Sequence, residues 1–193
     1  MKIILASKSG VRKDILDKYK IPVIVSPSNV DEDQVKESLL EKGADPEIIS
    51  KNLAELKSVK VSNKFPDELV LGADSVVSLN LKLINKPNTR EEALGILKLL
   101  NGRKHYLISS VCISKNGSMI WNYTDKASLT MREMTDNDLE SYLSKISDEN
   151  LYAYNVYQIE GEGRNLFLKI EGDEDTIMGL PIQKIKSYLR NYK

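Results

Sequence analysis

The stretch "YLISSVCISKNGSMIWNYTDKASLTM", residues 106–131, consists of two apolar, strand-like runs meeting at Asn116-Gly117. Asn and Gly tolerate the positive φ angles that a tight hairpin turn demands, so this pair between two such runs is a strong hairpin signal. Adjacent strands joined in this way must run antiparallel, so the sheet cannot be wholly parallel.

Around the hairpin, apolar spacing and turn residues predict alternating helices and strands. A strand is expected over 2–7, a helix over 10–19, a strand over 22–26 and a polar loop "SPSNVDEDQ" after it. A polar helical region follows from 34 to 63, broken near Gly43 and Pro46. "ELVLGADSVVSL" reads as a strand interrupted at Gly72, and "KLINKP" as a short strand returning from a turn at Asn80. Thr89 and Glu92 form a capping box for a helix over 90–100. Past the hairpin come a helix over 136–146, strand-like "YNVYQIEG", a hairpin turn near Gly161 to Gly163, "NLFLKI" and a closing helix after Pro181. Neither a linker nor an internal repeat divides the chain, so its 193 residues are expected to form one mixed α/β domain.

The 28 basic and 28 acidic residues cancel, and no basic block suits a nucleic-acid or membrane surface. Aromatic residues are scattered away from the basic ones, so no base-stacking platform emerges. Cys112 is the only cysteine, which excludes an internal disulfide and suits a buried, inert thiol. "MKIILASKSG" has too short an apolar run for a signal peptide, and no stretch reaches membrane-spanning length, so a cytoplasmic location is expected.

Candidate chemistry begins at "LASKSGVRKDIL", where a strand passes at once into a helix. Ser9 can cap that helix, Gly10 leaves its first turn open to a ligand, and Arg12 offers a fork of donors suited to phosphate oxygens. An ordinary capped helix explains the same residues, and neither common phosphate-loop pattern is present. Asp74 stands in an otherwise apolar segment, where a carboxylate needs a cation, a metal or donors; a structural turn beside Gly72 is the alternative. Lys57 and Lys86 taken singly read as solvated charges. Asp31 and Glu32 can offer carboxylates to Mg²⁺, although a solvated loop accounts for them equally. His105, the only histidine, is expected to be incidental at the surface.

In order along the chain, "LASKSGVRKDIL", "VDED", "NLAELK", "LGADSVV", "NKP", "EEAL-ILKLLNGRKH" and "IEGEG…LFLKIEG…MGLP" resemble the Maf family of nucleoside triphosphate pyrophosphatases. The resemblance covers essentially all of residues 1–193 as a single Maf-like domain. It implies an α/β fold of the Maf and ITPase kind, a mixed, partly antiparallel twisted sheet flanked by helices with two lobes around a cleft. Ser9 and Arg12 match the pair that holds the triphosphate, Glu32 the acidic loop residue, and Lys57 and Lys86 the lysines that close on the phosphates. Asp74 matches the catalytic acid, which accepts a proton from water or shares in a metal site with Glu32. The implied activity is hydrolysis of a nucleoside triphosphate between the α- and β-phosphates with a divalent cation, Mg²⁺ or Mn²⁺. Homodimers occur among such relatives.

Departures from the family pattern bear on specificity. Gly10 replaces its usual Pro, Val11 stands where relatives carry Arg or Trp, and in "ELKS" the helix glutamate, Glu55, is shifted by one position. "AYNVYQIEGEG" replaces the long motif of the dTTP/UTP-acting subgroup, and Glu160 takes the place of its Gln. A carboxylate accepts from the N1–H and N2–H edge of guanine, so Glu160 resembles the 7-methyl-GTP-acting subgroup. Ser75 points the other way, being closer to the Thr of the dTTP/UTP subgroup. A nucleotide-binding regulator of cell division with little turnover is the competing expectation.

Overall fold

The computed structural model describes residues 3–192, without the side chain at position 154. Position 2, the expected first residue of the opening strand, lies outside the described residues, as do positions 1 and 193. The chain runs β1 (Ile3–Leu5), α1 (Gly10–Lys18), β2 (Val23–Val25), α2 (Glu32–Glu41), α3 (Pro46–Ser62), β3 (Leu69–Leu79) and β4 (Lys82–Ile84). It continues through α4 (Arg90–Leu100), β5 (Lys104–Lys115), β6 (Ser118–Met131), α5 (Asp136–Ser144) and α6 (Asp148–Tyr154). A 3₁₀ turn (Glu162–Leu166), β7 (Phe167–Glu171), α7 (Glu174–Ile177) and α8 (Ile182–Asn191) complete it. No described helix is long and apolar enough to cross a membrane.

The strands form one sheet in the order β2-β1-β3-β5-β6-β7, with β4 on β3. β1 is parallel to both of its neighbours, and every other pairing is antiparallel. The β5–β6 turn has the anticipated geometry, with Asn116 at φ 51° and Gly117 at φ 75°.

Alternation along β3 assigns its residues to two faces. On one face, Leu69, Leu71 and Ala73 pack with Val111 and Ile113 of β5 beneath α1 and α8. Farther along, Val77 and Leu79 join Leu107, Leu129 and the apolar sides of α4 and α5 in a second core. Between the two cores, on the same face, Ser75 lies opposite Ser109. These cores are the two expected lobes, and the interval between them is polar.

The other face of β3 is covered by α3. Gly72 does not interrupt β3, contrary to the expectation, because the strand pairs continuously with β5 through this position. Glycine is needed here for closeness: a Cβ at Gly72 would lie 2.2 Å from the Ala54 carbonyl oxygen and 2.7 Å from the Ser58 nitrogen. Both are backbone atoms that cannot swing aside. Gly72→Ala is therefore expected to push α3 off the sheet at a cost of about 3 kcal/mol in denaturant unfolding, as overpacking does in a close-fitted core. A variant unfolding within error of the wild type would refute the close-packing account.

Two further expectations are corrected. "YNVYQIEG" is no strand, because α6 runs into it and Asn155, at φ 77°, turns the chain away from the sheet. Its apolar residues Val156, Tyr157 and Ile159 fill the second core from a loop. The proposed hairpin turn at Gly161 to Gly163 is the entry to the 3₁₀ turn.

Candidate active site

β3 has a partner on one edge only along part of its length. β1 pairs with it as far as Leu71, and β4 takes over from Val77. From Gly72 to Val76 that edge carries no strand, and the turn leaving β1 enters the gap. Chain ends and interrupted edges in a sheet are where open α/β folds make room for ligands. A cleft of about 370 Å³ opens there.

Ser9 caps α1 as expected, accepting from the Arg12 amide at 3.4 Å. The Arg12 guanidinium is held on three sides. Its Nε donates to the Gly179 carbonyl at 3.0 Å, Nη1 to Ser7 Oγ at 3.2 Å and Nη2 to Ser75 Oγ at 3.1 Å. Burial lowers the pKa of this group, while Asp74 and Glu32 act to keep it charged.

Lys57 corrects the expectation of a solvated charge. Ser50, Leu53, Ala54, Lys57, Ser58 and Val61 share the buried stripe of α3, at the three- and four-residue spacing of one helix face. Its ammonium therefore points at the sheet, donating to Asp74 Oδ1 at 2.8 Å and lying 2.8 Å from Glu32 Oε1. Ser50 Oγ donates to the Asp74 carbonyl at 3.1 Å, satisfying β3 inside the gap.

Asp74 is only 4% exposed, and its Oδ2 has no hydrogen-bond partner among the described residues. Burial raises its carboxyl pKa, Lys57 opposes that rise, and Glu32 adds to it. Glu32 also carries a desolvation penalty, yet Lys57, together with Lys36 and Lys86, outweighs it and holds that carboxyl below the ordinary range. The two acids are thereby driven apart: Asp74 is the readier proton acceptor at neutral pH, and Glu32 stays ionised.

Lys86 donates to the Ala153 carbonyl at 2.6 Å. It is reached by solvent from the open cleft, and desolvation by the surrounding protein still lowers its pKa. Farther out, Arg90 donates to the carbonyls of Leu143 and Ile146 at 2.9 and 2.8 Å. The Lys86 hydrogen bond, with that from the Tyr142 hydroxyl to the Val156 carbonyl at 3.0 Å, anchors the 153–160 segment as one wall of the cleft. Glu160 lies exposed on that wall, and Val11 lines the cleft from α1.

Ser9, Val11, Arg12, Glu32, Lys57, Asp74, Ser75, Lys86 and Glu160 thus border one cleft, whereas the Asp31 carboxylate caps α2, accepting from the Gln34 amide at 3.1 Å. Ser7, Ser109, Gly179 and Lys36 carry no signal of a role in the sequence read residue by residue. Lys36 follows Glu32 by one helical turn and is mostly buried, a spacing visible in "VDEDQVKE". The three others act through Arg12 or Ser75, and long-range partners of that kind leave no local pattern. His105 is fully buried rather than at the surface, 2.9 Å from the Tyr157 hydroxyl.

The Maf-like protein family model matches residues 2–192. A protein of Pelagibacter ubique named nucleoside triphosphate pyrophosphatase is 72% identical over 191 residues, covering 99% of this chain and 98% of its own length. A Rhizobium etli protein named 7-methyl-GTP pyrophosphatase is 36% identical over 189 residues, covering 98% of this chain and 95% of its own. The solved structure of a HAM1 protein from Coxiella burnetii shares the fold, with TM-score 0.57 at 10% identity over the whole of both chains. With its family match spanning nearly every residue, this chain belongs to the Maf-like protein family.

Proposed function

We propose that the cleft hydrolyses nucleoside triphosphates to nucleoside monophosphate and pyrophosphate. The observation that carries this reading is the free Oδ2 of buried Asp74 within a ring of cations, Arg12, Lys57 and Lys86. A protein that merely held a nucleotide would gain nothing from an unsatisfied carboxylate beside a triphosphate.

In this mechanism Asp74 takes a proton from water as the water oxygen bonds to the α-phosphorus. The bond from that phosphorus to the bridging oxygen breaks, and pyrophosphate departs with the electron pair. The raised Asp74 pKa suits a base working near neutrality better than an ordinary carboxylate would. Arg12, Lys57 and Lys86 bind the non-bridging oxygens and neutralise the charge that develops on the leaving group.

The donor set also suits a divalent cation. Glu32 and Asp74 are two carboxylates within reach of one ammonium, and no cluster of three or more potential ligands exists among the described residues. Mg²⁺ commonly takes one or two carboxylates and fills its remaining positions with phosphate oxygens and water. Glu32 and Asp74 would hold Mg²⁺ or Mn²⁺, which when bound supplies Lewis-acid neutralisation of the phosphates. Assembly as a homodimer and a cytoplasmic location, where free nucleotides are met, belong to the same proposal.

Turnover in isotopically labelled water tests the reaction: the label is expected in the monophosphate, with pyrophosphate unlabelled. Release of inorganic phosphate instead, or no release from any triphosphate, would overturn the assignment. Glu160 supports a guanine-type base, since an ionised carboxylate can only accept and guanine presents two donors along one edge. 7-methyl-GTP is accordingly expected to be cleaved faster than dTTP. Glu160→Gln should shrink the ratio of the two kcat/KM values by about five- to tenfold, the scale on which one mismatched hydrogen-bonding group weakens base discrimination. A wild-type preference for dTTP and UTP would reject the guanine assignment and leave the reaction untouched.

A further inference from the structure

Donor accounting between the two cores fixes the direction of a buried hydrogen-bond chain. Ser109 Oγ donates its only proton to the Thr176 carbonyl at 2.8 Å. It can therefore only accept from Ser75 Oγ, 2.8 Å away. Ser75 thus spends its own proton on Ser109 while accepting from Arg12 Nη2 at 3.1 Å. The order is Arg12, Ser75, Ser109, Thr176, with each group donating to the next.

Resting on the pyrophosphatase reading, we propose that Ser75 and Ser109 are positioning residues that aim Arg12 at the triphosphate, and that Ser75 donates no hydrogen bond to the base. A serine whose proton is consumed in this way has none left to donate to a nucleobase. An arginine has five N–H donors. Three of them are engaged by Gly179, Ser7 and Ser75, one from each nitrogen, which leaves one on Nη1 and one on Nη2. Those two remain to donate to phosphate oxygens. Gly179 completes the clamp: at φ 107°, it holds a conformation that favours glycine, and a Cβ there would crowd Ser75 Oγ at 3.1 Å and Arg12 Nε at 3.3 Å. Ser109 is fully buried on β5 directly opposite Ser75, so the chain is anchored in the sheet rather than in a mobile loop.

Inorganic tripolyphosphate has no base, and its binding to the full chain by calorimetry reads the positioning role without requiring turnover. Ser75→Ala and Ser109→Ala are each expected to weaken it about five- to tenfold, as a charge-assisted fork loses its alignment. Ser75→Thr, which keeps the hydroxyl, should restore affinity to within about twofold of the wild type. In an Arg12→Ala background neither serine change should matter further, because residues acting through one group do not add. In pyrophosphate-release assays, Ser75→Ala should lower kcat/KM by the same factor for 7-methyl-GTP and UTP. Unchanged tripolyphosphate affinity, full additivity with Arg12→Ala, or an altered ratio between the two bases would each overturn the assignment. Should Ser109→Ala fail to fold, the Ser75 variants alone decide the matter. A wild type that binds tripolyphosphate but releases no pyrophosphate would sink the proposed reaction while leaving these binding comparisons intact.

Discussion

Asp74→Asn is expected to lower the rate of pyrophosphate release by a factor of about 10² or more, the scale of losing a positioned general base. The amide keeps the shape of the carboxylate, and its oxygen can still accept from Lys57, whose other partner, Glu32, is unaffected. What it cannot do is take up a proton. Stability should not follow activity. A carboxyl whose folded pKa is raised stabilises the fold only at low pH, and this contribution is lost as pH rises through the folded value. At neutral pH the ionised Asp74 carries a desolvation cost that the neutral amide relieves, while Lys57 loses one of its two charged partners and keeps Glu32. The variant should therefore remain folded while turning over far more slowly. Near-normal pyrophosphate release, or a large drop in melting temperature accompanying the lost activity, would show that Asp74 is structural.

The second large effect is acid destabilisation through His105. Burial pushes this imidazole down to about 4, with the Arg103 carbonyl pulling weakly the other way. Its Nε2 meets the Tyr157 hydroxyl, and the ring lies beside Phe167, with 5.8 Å between ring centroids. An unfolded chain protonates the same group near its ordinary value of about 6.5. Between these two values the unfolded state binds the proton and the folded state does not, so stability falls as pH falls. The contribution is whole above the unfolded pKa and has gone by about pH 4, a loss of about 3 kcal/mol. Urea unfolding of the wild type and His105→Gln across this range isolates the term, since other acidic groups affect both proteins alike. The wild-type curve should descend more steeply, by about that amount; parallel curves would show that His105 titrates normally in the folded state.

Features governed by neighbours in the chain were legible in the sequence. The Asn116-Gly117 hairpin, the Ser9 and Thr89 caps and the helix break before Pro46 all depend on bonds spanning four residues or fewer, and the structure has each of them. Lys57 taken singly reads as solvated, although its position carries the opposite signal: it falls on the same helical stripe as Leu53, Ala54 and Val61, and a lysine on a buried stripe requires a buried acid. The 153–160 wall misleads for a different reason. Val156, Tyr157 and Ile159 are apolar because a loop lays them into a core, and a short apolar run does not distinguish a strand from a loop pressed on the same surface. Gly72 signals close approach and not interruption, a choice decided by α3, which lies earlier in the chain.

The wall that carries Glu160 is moored at backbone atoms. Lys86 and Tyr142 reach it through the carbonyl oxygens of Ala153 and Val156. Main-chain acceptors persist whatever side chain is attached to them, so these moorings survive substitution along the wall. Its exposed residues, Glu160 among them, are accordingly freer to drift than Val156, Tyr157 and Ile159, which the core holds. On the proposed reading, a lineage could retune which nucleotide it acts on by small steps at those exposed positions, leaving the proposed phosphate-binding groups as they are. Duplicated copies would be expected to diverge first in this segment.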